Sequence, residues 1–279
     1  MEKQIIGRGV LAGLIAGALA FIWARVMIEP IINRAIEFEA GTAAAHQALE
    51  SASAGGHGHG GGGHGGGGHG HGHGEGAELF TRTVQSGLGL GVGVVLFSIA
   101  LAALAAVVFC VVYPRVALSA RSLAMLVSAG MLVALSLVPA LKYPPSPPAT
   151  SVDETIRERA FLYLLMVVIS GVLFVGAIVC GHKVAEKYGT WNGVLAGVAD
   201  YLVTVGIAMA LLPGVHEVPG PLRDATGHIV FEGFPAEDLY DFRLYAMGLQ
   251  VIVWVTIGVV FSALLHRLLD SREKQALSA

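Results

Sequence analysis

The hydrophobic and polar positions of this chain form long blocks rather than short periodic repeats. Six blocks stay mostly apolar for about 20 residues or more, the length that an α-helix needs to cross a bilayer. They cover residues 5–28, 87–113, 121–141, 160–181, 191–212 and 244–266. The pattern therefore predicts an all-α, polytopic membrane helix bundle of about six transmembrane helices, with residues 1–279 as a single membrane domain in the lipid bilayer.

The first apolar block has some features of a signal peptide, because Ala18-Leu19-Ala20 resembles a cleavage site. The apolar run continues to Ile28, however, which is too long for the apolar region of a signal sequence. We therefore interpret this block as an uncleaved membrane anchor.

The composition agrees with a membrane protein and excludes several other classes. Of the 279 residues, 54% are hydrophobic and 13% are charged, and a net charge of −3 argues against nucleic acid as a partner. No motif of a soluble enzyme is present, so we expect neither catalysis nor a permanent cofactor. Cys110, Cys180 and His182 lie near inner helix ends. Packing is the simpler interpretation of these cysteines, and a thiolate–imidazole exit site is the alternative.

Residues 55–74 contain only glycine and histidine. Such a tract cannot bury side chains, so we expect a disordered, flexible external loop over residues 40–77. Neutral imidazole is a good ligand for Co²⁺, Ni²⁺, Cu²⁺ and Zn²⁺, whereas a passive linker, the alternative, needs no histidine. The predicted metal-capturing side chains are His57, His59, His64, His69, His71 and His73.

The charged residues predict the orientation of the helices. With the N-terminus inside, nine basic residues fall on short inner segments, which fits the positive-inside rule. Fifteen acidic residues then fall outside and four inside, which gives the outer face a field that attracts cations. We therefore predict a multi-pass protein of the cell (inner) membrane with both termini cytoplasmic and the histidine tract outside.

Small residues at spacings of four predict close helix packing. The first helix carries Gly9, Gly13 and Gly17, and the pairs 89/93 and 193/197 repeat the spacing on the second and fifth helices. In lipid, such faces let helix backbones approach closely.

Prolines mark the predicted outer ends of the first, third and fifth helices, at Pro30, Pro139 with Pro144, and Pro213. Proline removes a hydrogen-bond donor and frees carbonyl groups, which at membrane depth must be buried in protein or line a watery cavity. Together these ends predict an outer vestibule, and the alternative is that each proline simply terminates a helix.

Four side chains are the best candidates for an ordered metal site. Glu29, His216 and Glu217 lie at the predicted outer mouth, where a carboxylate and an imidazole next to freed carbonyls suit a divalent transition ion. A surface histidine and glutamate are the plain alternative. Asp200 is the one acidic residue deep in a predicted span, so we expect an ion site or a proton acceptor. Its structural alternative is a partner for Arg8, Thr204 or Gln250.

Several motifs resemble the CbtA-type predicted cobalt transporter subunits. The resemblance rests on Arg-Val-x-x-Glu-Pro at 25–30, Leu-Lys-Tyr-Pro-Pro-x-Pro-Pro-Ala at 141–149, Asp153-Glu154-Thr155-Ile156 with Arg159 and Tyr163, Trp191-Asn192, Leu-Pro-x-Val-x-Glu-Val-Pro at 212–219 and Asp241-Phe242-Arg243-Leu244. It implies a subunit of a cobalt importer associated with cobalamin synthesis, which works with a small single-span, His-rich CbtB-type partner. The Gly/His insertion is not implied by the family.

The sequence thus favours a divalent transition-metal importer, with Co²⁺ expected and Ni²⁺ or Zn²⁺ as alternatives. A second hypothesis is a non-transporting, membrane-anchored metal-binding scaffold that serves another complex. A mere anchor would need neither Asp200 nor the proline-broken helix ends. An exporter is a third hypothesis, but it would more naturally carry the histidine tract inside.

Overall fold

The structure of the chain is a computed structural model that describes residues 2–54, 84–148, 150, 156–215 and 218–278. Within these residues, six helices are long and apolar enough to cross a membrane, so all six predicted spans are confirmed. Their α-helical parts are Glu2–Trp23 and Glu29–Ala54 for α1, Leu90–Val112 for α2, Ala120–Met131 and Val138–Lys142 for α3, Ile156–Tyr188 for α4, Thr190–Leu211 for α5 and Ala236–Ser278 for α6.

Short segments of other geometry join or interrupt these helices. Segments with π-helical geometry are Ala24–Ile28 within α1, Gln85–Gly89 before α2 and Leu132–Leu137 within α3, and a 3₁₀ turn at Tyr113–Arg115 ends α2. Between α5 and α6, β1 (Leu222–Arg223) pairs antiparallel with β2 (Ile229–Phe231), with Leu222 opposite Phe231. We call the side of the molecule that carries this β1–β2 pair and residues 143–148 the loop face. The opposite side, which carries Glu2 and Gly189, is the terminal face.

The first helix does not end at Pro30, which corrects the sequence prediction. It continues to Ala54, so residues 40–54, assigned above to the flexible loop, are helical. The π-helical segment before the proline explains why the helix survives. The backbone N–H of Glu29 donates to the carbonyl of Ala24, five residues back, and this wider turn accommodates a residue that has no N–H and a bulky ring.

The same device operates in α3. Its π-helical segment Leu132–Leu137 again ends two residues before a proline, here Pro139, and the N–H of Val138 donates to the carbonyl of Val133. The helix then passes through Pro139 and ends at Lys142, close to the predicted boundary. Helix α5 ends before Pro213, as predicted.

Helices α1, α2, α3 and α6 form a four-helix bundle. Helix α1 packs against α2 and α6, and α3 packs against α6 and α2. The predicted glycine face of α1 lies at the contact with α2, where a Cβ built on Gly13 would lie 2.7 Å from the Cα atom of Ile99. Large side chains from α2 and α6 fill the bundle core, among them the fully buried Phe109, Trp254 and Phe261.

Helices α4 and α5 form a separate helical hairpin. They pack closely against each other because small residues meet, and a Cβ built on Gly193 would lie 2.5 Å from the Cβ atom of Ala185. Gly189 makes the turn between them with a φ of +89°, a conformation that favours glycine. The predicted face at Gly89 and Gly93 does not contact another described helix, because a Cβ at Gly93 would meet no described atom within 4 Å.

The hairpin joins the bundle chiefly at the loop face. Helix α4 packs against the second half of α3, from Leu132 onward. The buried residues at this contact form one cluster, with members from α3, the segment after it, α4 and α5: Val138, Tyr143, Leu162, Met166, Ala177, Tyr201 and Val205. Within it, the hydroxyl groups of Ser170 and Tyr201 are hydrogen-bonded at 2.7 Å.

Candidate functional site

A proline-rich segment, residues 143–148, follows α3 and lies at the junction of bundle and hairpin. Its first residue, Tyr143, is only 3% exposed, and burial raises the pKa of its hydroxyl group. That hydroxyl donates to the carbonyl oxygen of Pro213 at 2.9 Å, which ties the end of α3 to the end of α5. The residues that follow α3 and α5 thus meet.

Two arginines bind the carbonyl groups of this segment. The Nη2 atom of Arg159, in the first turns of α4, donates to the carbonyl of Pro144 at 2.9 Å. The Nε atom of Arg243, in α6, donates to the carbonyl of Pro145 at 3.3 Å. We call residues 143–148 together with the end of α5 the mouth. Three of its carbonyls, those of Pro144, Pro145 and Pro213, accept hydrogen bonds from protein side chains. Each bond occupies one of the two lone pairs of its carbonyl oxygen, and the metal-binding vestibule stays a prediction.

Beneath this segment lies a cavity of about 470 Å³ between α3, α4 and α6. Its size falls within the range of small-molecule sites. Most of its wall is aliphatic or aromatic, and five of its lining residues carry polar groups. These are Ser136, Tyr143, Arg159, Tyr163 and Gln250.

A hydrogen-bonded network forms the deepest polar part of the cavity wall. The indole Nε1 of Trp254 donates to the hydroxyl oxygen of Ser136 at 3.0 Å, and that hydroxyl donates to Oε1 of Gln250 at 3.2 Å. The Ser136 hydroxyl thus accepts from Trp254 and donates to Gln250, which leaves the Gln250 amide nitrogen outside this network. Gln250, one of the possible partners for Asp200 in the sequence, is bonded to Ser136 instead.

Glu29 lies at the π-helical break of α1 and is buried, with 2% of its surface exposed. Its Oε1 atom is 4.0 Å from the guanidinium of Arg25, one turn earlier, whose side chain is half-exposed. Around this pair, Ala24 and Ile28 pack against Phe242 of α6. Glu29 therefore belongs to the contact between α1 and α6.

Asp200 lies midway along α5, in the hairpin, and is partly buried. Its backbone carbonyl accepts a hydrogen bond from Thr204, but its carboxylate forms no hydrogen bond or ion pair with any described residue. Helix α5 packs against α4, whereas Glu29 is on α1, which packs against α2 and α6. The structure therefore does not bring Glu29 and Asp200 together.

The remaining predicted ligands lie outside the described residues. These are the six histidines of the 55–74 tract, together with His216 and Glu217. Among the residues that the structure does describe, no group of three or more His, Cys, Asp or Glu side chains is arranged to hold a metal ion.

The structure does not bring together the three residues of the alternative exit site at the terminal face, Cys110, Cys180 and His182. Cys110 packs against the bundle core on α2, while Cys180 and His182 are on α4 of the hairpin. His182 is exposed and lies 3.8 Å from Glu186 on its own helix. The two cysteines belong to helices whose principal packing partners differ.

Sequence reasoning missed the roles of Ser136, Arg159 and Arg243. Arg159 and Arg243 were noted only as parts of the family-like motifs, and Ser136 was not singled out. The available signal was polarity: a serine and a glutamine inside apolar spans, and an arginine in the first turns of one helix and another near the start of α6.

Comparison with known proteins identifies the family. The family model described as probable cobalt transporter subunit (CbtA) matches residues 2–266, nearly the whole chain. No curated protein and no solved structure matches the chain. With six helices able to span a membrane and a family match of this extent, the chain belongs to the CbtA family of probable cobalt transporter subunits and is a multi-pass membrane protein.

Proposed function

We propose that this protein is the membrane subunit of a divalent transition-metal importer that captures the ion on an acidic, His-rich outer face and passes it through the helix bundle. Co²⁺ is the expected ion, and Ni²⁺ or Zn²⁺ are alternatives. The chain acts as a transporter subunit and not as an enzyme. One observation carries the transport step: the Asp200 carboxylate lies midway along a membrane helix without a partner among the described residues. Such a group is costly in lipid and commonly marks an ion or proton path.

The extension of α1 supports the capture step. Beyond Pro30 the helix continues to Ala54, and it ends immediately before the Gly/His tract. Glu37, Glu39 and Glu50 are exposed along this extension. Since the extension is on the loop face with most of the acidic residues, cations are concentrated where the tract begins. The six tract histidines, with Glu29, His216 and Glu217 at the mouth, are the proposed ligands before Asp200.

For this direction of transport, the loop face must be outside the cell. We propose an inner-membrane protein with both termini cytoplasmic, which is supported by the nine basic residues on short segments of the terminal face. Charge then favours inward movement, by about 2.3 kcal/mol per elementary charge for each 100 mV.

We also propose that the chain works with a small single-span, His-rich CbtB-type subunit. The family description names a subunit, and the described residues leave most of the surface of α5 uncovered, with Leu195, Val198 and Leu202 at least half exposed. A partner helix has room there. The alternative function, a non-transporting metal-binding scaffold, explains the tract but gives Asp200 no task.

Uptake of radiolabelled Co²⁺ by a transport-deficient host tests the proposal. Cells expressing the chain should accumulate more label than cells with an empty vector, more strongly with the small partner co-expressed. Deleting residues 55–74 should reduce uptake only at scarce metal, because a flexible chelator raises local concentration without forming the path. Metal binding without uptake in any of these cells would favour the scaffold.

Sidedness is tested by single cysteines placed at Ser53 and Ser278 in a cysteine-free background. An impermeant thiol reagent on intact cells should label position 53 and not position 278. The reverse labelling pattern would contradict import through an outward loop face.

A further inference from the structure

The cavity between α3, α4 and α6 has hydrogen-bond donors where a site for a bare cation would have acceptors. A divalent transition ion requires carboxylate, imidazole or thiolate ligands. None of the described lining residues carries such a group. The cavity lies directly under the loop-face mouth, so any ligand that enters between bundle and hairpin meets it first.

The Gln250 amide presents its nitrogen as an available donor. Its Oε1 atom accepts a hydrogen bond from the Ser136 hydroxyl. No described residue accepts a hydrogen bond from its amide nitrogen, although Gln250 lines the cavity. An amide N–H₂ group in such a position selects a ligand atom that accepts hydrogen bonds.

Arg159 and Tyr163 add to the same chemistry. The Arg159 guanidinium lines the cavity and carries a permanent positive charge, with one of its donors fixed on Pro144. Arg243 lies at the adjoining edge of the mouth. The Tyr163 hydroxyl forms no hydrogen bond with a described residue. Two guanidinium groups next to a cavity with aliphatic walls repel a bare dication and attract an anion.

We propose that this cavity binds a small oxygen-rich anion through its carboxylate or phosphate group. Arg159 supplies the charge, Gln250 and Tyr163 supply neutral donors, and the aliphatic wall from α4 and α6 packs against the carbon skeleton of the ligand.

The test is binding of citrate, of its Co²⁺ complex, of inorganic phosphate and of CoCl₂ to the full chain, measured by calorimetry in phosphatidylcholine nanodiscs. A parallel sample in phosphatidylglycerol nanodiscs tells a lipid headgroup from a soluble anion. Binding of citrate assigns a soluble carboxylate. Loss of that binding only in the anionic lipid assigns the headgroup phosphate as the occupant.

The substitution Gln250→Glu tests whether the cavity prefers an anion or a cation. It preserves the size of the side chain and the acceptor for Ser136 but replaces the free donor with negative charge. We expect at least a tenfold loss of anion affinity, while Gln47→Glu, an exposed site on the α1 extension, leaves it unchanged. Tyr163→Phe should give a smaller loss and serves if Gln250→Glu does not fold. Absence of anion binding by the parental chain, or an unchanged anion affinity of Gln250→Glu, would overturn the inference.

The inference and the proposed function fail separately. Co²⁺ uptake by cells without any anion binding to the purified chain removes the inference and leaves the importer. Anion binding that Gln250→Glu weakens, in a chain that accumulates no Co²⁺, supports the cavity and removes the importer.

Discussion

The four-helix bundle and the α4–α5 hairpin use the same local rule of assembly and reach different degrees of burial. In each, glycines let two neighbouring helices approach closely, at Gly13 in the bundle and at Gly193 in the hairpin. The bundle then adds α3 and α6, which bury Trp254 and Phe261 completely. The hairpin adds no third helix of its own, and along α5 large apolar side chains such as Leu202 stay exposed. Glycines therefore decide how closely two neighbouring helices approach, whereas the burial of large side chains depends on further helices that pack against the pair.

The two regions also differ in how they are held. The helices of the bundle pack against one another, whereas the hairpin is attached to the bundle mainly at the loop face, through the contacts of α4 with α3. Asp200 is on the hairpin, and the cavity lies at its junction with the bundle. The candidate groups are thus found on the hairpin and at this junction.

The largest expected effect comes from filling the two glycine contacts. At Gly13, an added Cβ would meet the Ile99 backbone at 2.7 Å, so Gly13→Val must displace α2. We expect a cost of about 3 kcal/mol or more and loss of the bundle. Gly193→Val should open only the hairpin. The matched controls are Gly7→Val and Gly206→Val, where no described atom lies within 4 Å of the added Cβ.

The two native cysteines report these regions separately. Cys110 lies in the bundle and Cys180 in the hairpin, so single-cysteine versions can be heated with a thiol-reactive dye. Gly193→Val should lower the temperature at which Cys180 reacts and leave Cys110 unchanged. If both thiols respond together in that variant, the hairpin is not an independent unit.

An intermediate loss of stability is expected from changes at the junction of the bundle and the hairpin. Ser136→Ala leaves the Trp254 N–H and the Gln250 carbonyl without their shared partner, and a buried polar group without a partner costs about 1–3 kcal/mol. The thermal midpoint of the Cys110 reaction should fall accordingly. Ser262→Ala is the control, because its hydroxyl bonds only to the carbonyl of Val259 on its own helix. Equal midpoints for the two variants would show that the network adds no stability.

The smallest effect is expected beyond the membrane, where Arg34 of α1 and Asp238 of α6 form an ion pair at 2.6 Å. The Arg34 side chain is half-exposed, so Arg34→Ala should cost less than about 1 kcal/mol. The loss should shrink further in high salt, whereas that of Ser136→Ala should not. Thermal midpoints at two salt concentrations measure both. A salt-independent loss above that size would show that the pair is shielded from solvent.

Much of the fold could be read from the sequence, because a membrane helix is encoded by its own apolar length. The six spans and two of the three glycine faces are found where they were predicted. The error at Pro30 has a local cause. A proline was expected to end the helix, but a single π-helical segment satisfies the preceding N–H and lets the helix continue. The sequence pattern does not reveal such an insertion.

The candidate site was less predictable because it depends on packing between distant segments. The proline-rich segment after α3 was recognised from its residues. The donors that occupy its carbonyls come from Arg159 on α4 and Arg243 on α6, and only the arrangement of these helices brings them together. Residue type alone suggested carbonyls freed by the prolines, and it gave no sign of the two arginines that donate to them.

The most direct test of the account is Co²⁺ uptake by the Asp200→Asn variant. This change keeps the volume of the side chain and removes its charge, so packing and the α4–α5 contact should survive. We predict that uptake is abolished while the protein still inserts, accumulates and shows the native reaction temperature of Cys180. Uptake at the parental rate by a normally inserted Asp200→Asn protein would contradict the proposal that Asp200 is part of the ion path.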